Sequence, residues 1–282
     1  MPTIMLVDNG SRRADATLAL RRISRQMAER MQVPVHPVSL LHSSKVPKES
    51  LDGKPADILE PFLSRHARLG TRDFVVVPLF FGPSRALTKL IPETVARVNE
   101  GGADVSVDIA ESLCPLPDGD PRLAAILDRA IRHAMAADLP QAAEKPIAIL
   151  VDHGSPIPEV TAVRHWLAGR LEGLSRGDYR VVEAAMERRP GPEYAFNGAL
   201  LEEQLEQLAR AEDAVNGVVA MQFIGPGRHA GSGGDVESIC RDAQERFPGL
   251  SLKISRLVGE DDGLVDILMD RTRTALSRRT ES

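Results

Sequence analysis

The chain repeats itself, and this repeat constrains the fold more than any other feature of the sequence. The segment Ile4 to Ser11 (IMLVDNGS) matches Ala148 to Ser155 (AILVDHGS). Further along, Val76 to Pro83 (VVPLFFGP) matches Val219 to Pro226 (VAMQFIGP). Because order and spacing persist along both halves, with an offset of about 143 residues, we infer a tandem duplication, which requires two units of similar architecture.

A weaker match pairs the stretch beginning at Leu123 with the one beginning at Leu264, near the end of each half. Between Ala136 and Pro146 the periodic pattern gives way to Ala, Pro, Gln and Glu, which is typical of a connecting segment. We therefore predict a first lobe over residues 1–140 and a second lobe over residues 146–282.

Each half alternates short apolar runs with longer amphipathic stretches. The predicted strands are 3–8, 34–40, 74–80, 104–109, 147–152, 179–185, 217–223 and 251–256. The predicted helices are 14–31, 55–68, 86–100, 121–136, 158–174, 195–210, 235–246 and 262–278. A βαβα order indicates an α/β fold with parallel sheets flanked by helices. In such sheets ligands bind beyond the carboxyl ends of the strands.

A glycine-rich loop over 225–235 carries one histidine, His229, and follows an apolar run that reads as a buried strand. His153 likewise follows an apolar run and is flanked by glycine. Neutral imidazole is a good ligand for Co(II), Ni(II), Fe(II) and Zn(II). Two histidines are too few for a closed structural zinc site, but they suit a metal ion that is picked up and handed on. The alternative is a capping role for His153 and an ordinary loop position for His229.

Other polar residues follow the strands of the second half. Glu187 ends the second strand, where a carboxylate can help to bind metal or accept a proton; a solvated strand-end glutamate is the alternative. Arg188, Arg189 and Arg228 can pair with carboxylates on a ligand, although scattered surface arginines are common. Ser155 is interpreted as a helix N-cap or a hydrogen-bond donor to a ligand.

The glycine-rich loop is not a nucleotide-binding motif. No GK[ST] follows its glycines, and its spacing does not fit GxGxxG. A serine hydrolase using Ser155 stays open as a reading, but it needs an acid and a base that the sequence does not display.

Composition excludes some classes of partner. The formal net charge is -5 and no basic block is present, so nucleic acid is not expected and an acidic ligand needs a local cluster of Arg or Lys. The apolar run Phe74 to Phe81 is too short to span a bilayer. The N-terminus lacks the charged start of a signal peptide. The isolated Cys114 and Cys240 form no CxxC pattern and fit a reducing compartment, so a cytoplasmic location is expected.

The second half resembles the sirohydrochlorin chelatases, also called CbiX-like or SirB-like, which are class II, ATP-independent chelatases. The matching residues are the strand and His-Gly-Ser at 150–155, Met186-Glu187, and the Pro-Gly-Arg-His-Ala-Gly-x-Gly-Gly-Asp loop at 226–235. The resemblance implies two flavodoxin-like lobes around a cleft. It also implies insertion of Co2+ or Fe2+, with Ni2+ possible, into sirohydrochlorin without a nucleotide, for cobalamin or sirohaem synthesis.

In this resemblance His153 and His229 bind the metal ion, and Glu187 joins them as a catalytic residue. The first half departs from the pattern, because Asn9 stands where His153 stands and Ala86 where His229 stands. An amide and a methyl group cannot replace two imidazoles, so the first lobe is predicted to be catalytically silent and to form the other wall of the cleft.

We hypothesise that the tetrapyrrole enters between the lobes and that its acidic side chains lie near arginines of both. Two pyrrole protons leave as the metal ion enters the ring, and a histidine or Glu187 accepts at least one. The expected arginines are Arg12, Arg85, Arg188 and Arg228, and the expected substrate-binding residues of the second lobe are Gly154, Ser155, Arg188, Gly227, Arg228 and Gly231. A non-catalytic carrier of metal or metallated tetrapyrrole is the alternative. The metal, the pathway and the oligomeric state stay open.

Overall fold

The computed structural model describes residues 2–136 and 145–280, and the chain forms two compact units. The first unit combines Met1–Asp118 with Leu264–Ser282, and the second is Gly119–Gly263. The predicted join between Ala136 and Pro146 lies almost entirely outside the described residues.

The first unit is built on a five-stranded parallel sheet in the order β3-β2-β1-β4-β5. Residues 4–7 of the central strand β1 are buried. They are covered by helices whose apolar faces include Phe62 and Ile91. The strands are β1 (Thr3–Asp8), β2 (Val35–Ser39), β3 (Asp57–Ile58), β4 (Asp73–Pro78) and β5 (Ser106–Ile109), and the helices are α1 (Ala14–Met31), α2 (Leu59–Arg68) and α3 (Ile91–Glu100).

The second unit has a four-stranded parallel sheet in the order β7-β6-β8-β9. Its elements are α4 (Pro121–Met135), β6 (Ile147–Asp152), α5 (Pro158–Ser175), β7 (Arg180–Ala185), α6 (Leu201–Ala211), β8 (Val215–Met221), α7 (Asp235–Arg246) and β9 (Leu250–Ile254). Every residue of β6 is buried, as expected of a strand covered by helices on both faces. The strand order is that of flavodoxin-like folds, which confirms the predicted α/β class.

The last helix of each sequence half belongs to the other unit. Helix α4 is the last helix of the first half, yet it packs against α5 and β8 of the second unit. Helix α8 (Gly263–Thr280) ends the chain and lies almost wholly in the first unit. There Arg271 donates hydrogen bonds to the carbonyls of Ser112 and Leu113 at 3.0 and 3.2 Å. The compact units are therefore not the two sequence repeats, and the repeat boundaries at 1–140 and 146–282 stay a prediction about the duplication.

Most predicted elements are present, and the differences are local. The predicted helix 55–68 begins only at Leu59, because Asp57 and Ile58 pair with β2. The predicted helix 86–100 opens with a wide π-type turn over Ala86–Leu90. The predicted helix 195–210 begins only at Leu201, after a 3-10 turn that ends at Asn197. Within the described residues, every helix is too short or too polar to cross a membrane.

Candidate metal centre

The carboxyl edge of the second sheet collects the polar residues predicted from the sequence. His153 directly follows β6, Glu187 lies two residues beyond β7, and His229 lies in the loop after β8. Because the three strands are parallel neighbours, their ends meet at one edge. The topology therefore brings together side chains that are up to 76 positions apart in sequence.

These three side chains converge closely enough to share one ion. One donor atom from each of His153, Glu187 and His229 lies within 4.8 Å of the others. The two imidazole rings are 4.7 Å apart between centroids and nearly perpendicular, at 82°. Donors that bind one ion at about 2.1 Å lie at most about 4.2 Å apart, so a small inward shift of these side chains completes a three-ligand site.

A close backbone contact holds the ends of β6 and β7 together. Gly154 has φ +82°, and a Cβ atom there would lie 1.9 Å from the carbonyl oxygen of Glu187. Only glycine fits this approach. The amide of Glu187 donates to the carbonyl of His153 at 3.0 Å. Gly154 thus serves the geometry of the site through its backbone, whether or not it also touches a substrate.

His229 is buried, with 5% of its surface exposed, whereas His153 and Glu187 are exposed. Its Nε2 lies 3.4 Å from Oε1 of Glu187, and its Nδ1 lies 2.9 Å from Oδ2 of Asp235. Nδ1 therefore has the Asp235 carboxylate beside it, whereas Nε2 lacks a hydrogen-bond partner among the described residues. Buried polar atoms are normally satisfied, and a metal ion at Nε2 would satisfy this one.

The pKa of His229 is lowered, first because burial disfavours the imidazolium and second because His153 lies beside it. The carboxylates of Glu187 and Asp235 act in the opposite direction without reversing the shift. A lowered pKa keeps the imidazole neutral at neutral pH, which is the form that binds metal.

Asp235 is a residue of this site to which the sequence analysis gave no role. It begins α7, and its carboxylate faces the ring nitrogen of His229 that points away from Glu187. Histidine ligands of metals commonly place their second nitrogen against a carboxylate, which fixes the ring orientation. Its position at the end of the 226–235 loop motif was the available signal.

Of the arginines predicted to bind substrate in the second unit, Arg228 faces the three-residue cluster. Its side chain is 76% exposed and bridges Glu187 at 3.0 Å and Asp235 at 3.3 Å. Arg188 points elsewhere, because it donates to the carbonyl of Gly198 and pairs with Glu203 at 3.0 Å. Substrate contact by Arg188 therefore requires these interactions to open.

Arg189 lies over the ring of Tyr194, 5.8 Å from its centroid. Like Arg188, it is engaged within the second unit. Arg12 and Arg85 belong to the first unit, and their role toward a tetrapyrrole stays a prediction.

Ser155 is not the N-cap of the following helix. The N-cap of α5 is Ile157, and the hydroxyl of Ser155 accepts a hydrogen bond from the amide of Ile157 at 3.0 Å. In the part of the chain that the structure describes, no histidine or carboxylate hydrogen-bonds this hydroxyl, so the hydrolase reading gains no base. A Cβ atom at Gly227 would project into open space, whereas one at Gly231 would lie 3.0 Å from the Cβ of Pro226.

Among the residues that the structure describes, the equivalent edge of the first sheet carries no such cluster. Asn9 follows β1 as His153 follows β6, and Ala86 begins the wide helical turn after β4. The backbone hydrogen bond from Leu41 to Asn9, at 3.1 Å, matches the one from Glu187 to His153. Leu41 thus stands where Glu187 stands, and all three positions of the cluster lack a metal-binding side chain in the first unit.

Comparison with known proteins gives a consistent family and fold. The CbiX family model matches residues 3–134 and 148–275. SirB from Bacillus subtilis, solved with Fe3+, is 17% identical with a TM-score of 0.68, covering 99% of this chain and 98% of that one. SirB from Bacillus subtilis subspecies spizizenii in complex with cobalt is 16% identical with a TM-score of 0.66, covering 99% and 98%.

CbiX, described as the terminal enzyme for biosynthesis of sirohaem in denitrifying bacteria, is 12% identical with a TM-score of 0.59. The alignment covers 98% of this chain and 99% of that one. No curated protein matches this sequence significantly. At these identities the structural matches establish the fold, and the family model extends over both halves.

Proposed function

The chain belongs to the CbiX family, and from that premise we propose that it is a sirohydrochlorin chelatase whose chemistry lies in the second unit. It inserts a divalent metal ion, cobalt or iron, into the tetrapyrrole without ATP. The observation that carries this proposal is the convergence of His153, Glu187 and His229 within 4.8 Å. The SirB structures with Fe3+ and with cobalt support both metals as substrates.

The donor set fits a metal ion that is substrate rather than structural. Two imidazoles and one carboxylate leave open coordination positions, unlike a four-ligand structural site. His153 and Glu187 are exposed, so the ion can leave toward a ring that approaches from the solvent side. His229 is the buried anchor of the site.

Arg228 links substrate binding to the release of Glu187. In the structure the guanidinium of Arg228 donates a hydrogen bond to Oε1 of Glu187. An acidic side chain of the tetrapyrrole that pairs with Arg228 competes for this interaction. Glu187 is then free to bind the metal ion or to take a proton.

The reaction exchanges one metal ion for two protons. As the ion moves from the imidazoles to the ring nitrogens, the two pyrrole N–H groups lose their protons. Glu187 accepts one and a histidine, freed of the metal, accepts the other. Low pH slows this exchange, because a protonated imidazole cannot bind the ion.

We also propose a cytoplasmic location and a part for the first unit in substrate binding. The location is supported by the buried free thiols of Cys114 and Cys240, which fit a reducing compartment. Arg12 and Arg85 are the candidate contacts from the first unit.

The direct test is anaerobic incubation with sirohydrochlorin and Co2+, Fe2+ or Ni2+ in turn, followed by absorbance. We expect multiple turnovers with at least one metal, lost in the double variant His153→Ala, His229→Ala and kept in His133→Ala, an exposed histidine on α4. A spectral change that stops at one equivalent would instead identify a carrier. Full activity in the double variant would refute the site.

A further inference from the structure

A buried ion pair lies directly beneath the metal-binding edge of the second unit. Arg164, on α5, has 1% of its surface exposed. It donates to Oδ1 of Asp152 at 2.6 Å and to Oε2 of Glu183 at 3.0 Å. The same Oδ1 of Asp152 accepts from the amide of Gly154 at 3.0 Å. The arginine thus fixes the carboxylate that orients the backbone immediately after His153.

A buried amide holds the next residue of the same loop. Asn197 has 0% exposure. Its Oδ1 accepts from the amide of Ser155 at 2.9 Å, and its Nδ2 donates to the carbonyl of Ser155 at 2.8 Å. It also accepts from the hydroxyl of Thr161 at 3.1 Å and donates to the carbonyl of Tyr194 at 3.2 Å. With these four bonds the amide reaches its full hydrogen-bonding capacity.

Arg164 and Asn197 are joined to each other, since Arg164 donates to the backbone carbonyl of Asn197 at 2.7 Å. Together they hold the chain on both sides of Gly154. His153 projects from this loop into an exposed position, so packing alone does not hold it. A fully satisfied buried network is rigid and imposes one geometry, and here that geometry is the position of an exposed histidine.

The first unit shows what the fold requires without a metal site. Helices α1 and α5 are equally long, and Leu20 occupies the position in α1 that Arg164 occupies in α5. In place of the two-bond clamp by Asn197, the amide of Ser11 donates a single bond to the hydroxyl of Ser43 at 3.1 Å. The equivalent loop therefore forms without a buried arginine or amide, so the fold does not require these residues, and they occur in the unit that carries the histidines.

We propose that Arg164 and Asn197 are positioning residues that set the place of His153 relative to His229 and so determine the affinity and geometry of metal binding. This inference rests on the proposed function, because it assumes that the two histidines bind the ion. Neither residue touches the ion; both act through the backbone of residues 152–155.

The test uses the intact protein and Co2+ alone, titrated while the visible d–d absorption is recorded. We expect Arg164→Leu and Asn197→Ala to raise the Kd for Co2+ by about 10- to 100-fold, the usual effect of removing groups that orient metal ligands. The d–d band should shift. Arg164→Leu introduces the residue that the first unit has at this place, so the fold has a precedent for it.

Ser175→Ala is the matched control at the far end of α5. Like the test variants it removes a buried polar group, here a hydroxyl that donates to the carbonyl of Glu172 and accepts from the amide of Gly177. It should lower Tm without changing the Kd or the band. Asn197→Asp keeps the oxygen that accepts from Ser155 and loses the donor, so it should give an intermediate Kd and remains informative if Arg164→Leu does not fold.

Folded Arg164→Leu and Asn197→Ala variants with the wild-type Kd and spectrum would overturn the inference. His153→Ala in the same titration separates this failure from a failure of the proposed function. If His153→Ala weakens binding and the network variants do not, only the positioning role is wrong. If His153→Ala also leaves binding unchanged, the metal site itself is misplaced.

Discussion

The carboxyl edges of the two sheets share a backbone and differ in their side chains. Gly10 and Gly154 both have φ +82°, and a Cβ atom at either would lie within 2 Å of a carbonyl oxygen, that of Leu41 or of Glu187. The paired hydrogen bonds at 3.1 and 3.0 Å are equivalent. This strand-end geometry belongs to the fold, since it is also present in the first unit, where Asn9 and Leu41 stand in place of the histidine and the glutamate.

What distinguishes the second edge is the set of side chains placed on that backbone. Asn9, Leu41 and Ala86 occupy the positions at which the second unit has an imidazole, a carboxylate and an imidazole. The loop after β8 adds glycines that the first unit lacks. Within the described residues, the two units therefore share these backbone contacts, while the three side chains that could hold a metal ion occur together in the second unit.

The aspartate at the end of the first strand has different partners in the two units. Asp152, at the end of β6, pairs with Arg164 at 2.6 Å. Asp8, at the end of β1, has Leu20 in place of that arginine, and its Oδ1 is buried without a hydrogen-bond partner among the described residues. Burial raises the pKa of both aspartates: that of Asp8 to about 6, although Ser39 donates to it, and that of Asp152 although Arg164 lies beside it.

The largest effect should come from separating the units. A fragment of residues 119–263 should fold and bind Co2+, because it contains the whole cluster and its own covering helix α4. A fragment of residues 146–282 should not fold, since it loses Leu123, Ile126, Leu127 and Ile131, all buried. At about 1.5–3 kcal/mol per side chain this loss is comparable to the whole stability of a domain.

Circular dichroism and Co2+ titration of the two fragments check this prediction. Cooperative unfolding of the 146–282 fragment would mean that the sequence repeats, and not the compact units, are the folding units. Loss of Co2+ binding in a well-folded 119–263 fragment would mean that the first unit takes part in binding the metal.

Replacing Glu187 should affect the chemistry more than the binding. Glu187→Gln keeps the shape and an oxygen but cannot accept a proton, so we expect the insertion rate to fall by about 100-fold, within the range for loss of a general base. Leu41→Gln changes the matching place in the first unit and should leave the rate unchanged. Steady-state rates with sirohydrochlorin provide the check, and equal rates for Glu187→Gln and wild type would remove Glu187 from the mechanism.

One substitution should have opposite effects on stability in the two units. Asp152→Asn leaves the Arg164 cation buried without its closest partner, and breaking such a pair costs about 3 kcal/mol of unfolding free energy. Asp8→Asn should instead stabilise the protein at pH 7–8. The raised pKa of Asp8 means that the folded state binds its proton more tightly than the unfolded state.

The pH dependence of stability follows from the raised pKa of Asp8. Below about pH 4 Asp8 is protonated in both states and carries no penalty. Stability is then lost as pH rises to about 6, by at most about 3 kcal/mol and by less because the side chain is partly exposed. Denaturant unfolding between pH 4 and 8 should show this slope flattened in Asp8→Asn, and an unchanged slope would contradict the account.

The smallest effect should come from transplanting the ligands. The triple variant Asn9→His, Leu41→Glu, Ala86→His places the cluster's side chains on the first edge. We expect no second tight Co2+ site, because Ala86 begins a helical turn whereas His229 sits in a glycine loop. Equilibrium dialysis measures the stoichiometry, and two tightly bound ions per chain would show that the side chains alone suffice.

The strands, the helices and the two histidines are predictable from the sequence because each leaves a local pattern. Apolar runs mark the strands, and His153 and His229 stand directly after such runs beside glycines. β3 escapes prediction because its two residues are too few to show alternation. The placement of α4 in the second unit and of α8 in the first is not predictable either. The sequence of an amphipathic helix shows which face is buried but not which sheet the helix covers.

The supporting residues of the site are not predictable for a different reason. Arg164 and Asn197 lie in sequence surroundings that would suit exposed polar residues, and only the folded chain shows that they are buried. Asp235 ends the loop motif at 226–235, but no local rule predicts that its carboxylate faces His229. The sequence therefore reveals the groups that meet the ion, whereas the groups that hold them depend on long-range packing.

One metal ion should bind at His153, Glu187 and His229, and none should bind at the matching edge of the first unit. The most direct measurement is an anaerobic Co2+ titration of the intact wild-type protein, the double variant His153→Ala, His229→Ala, and Asn9→Ala. We predict one tightly bound ion per chain in wild type and Asn9→Ala, and none in the double variant. Tight binding retained by the double variant, or lost in Asn9→Ala, would contradict this account.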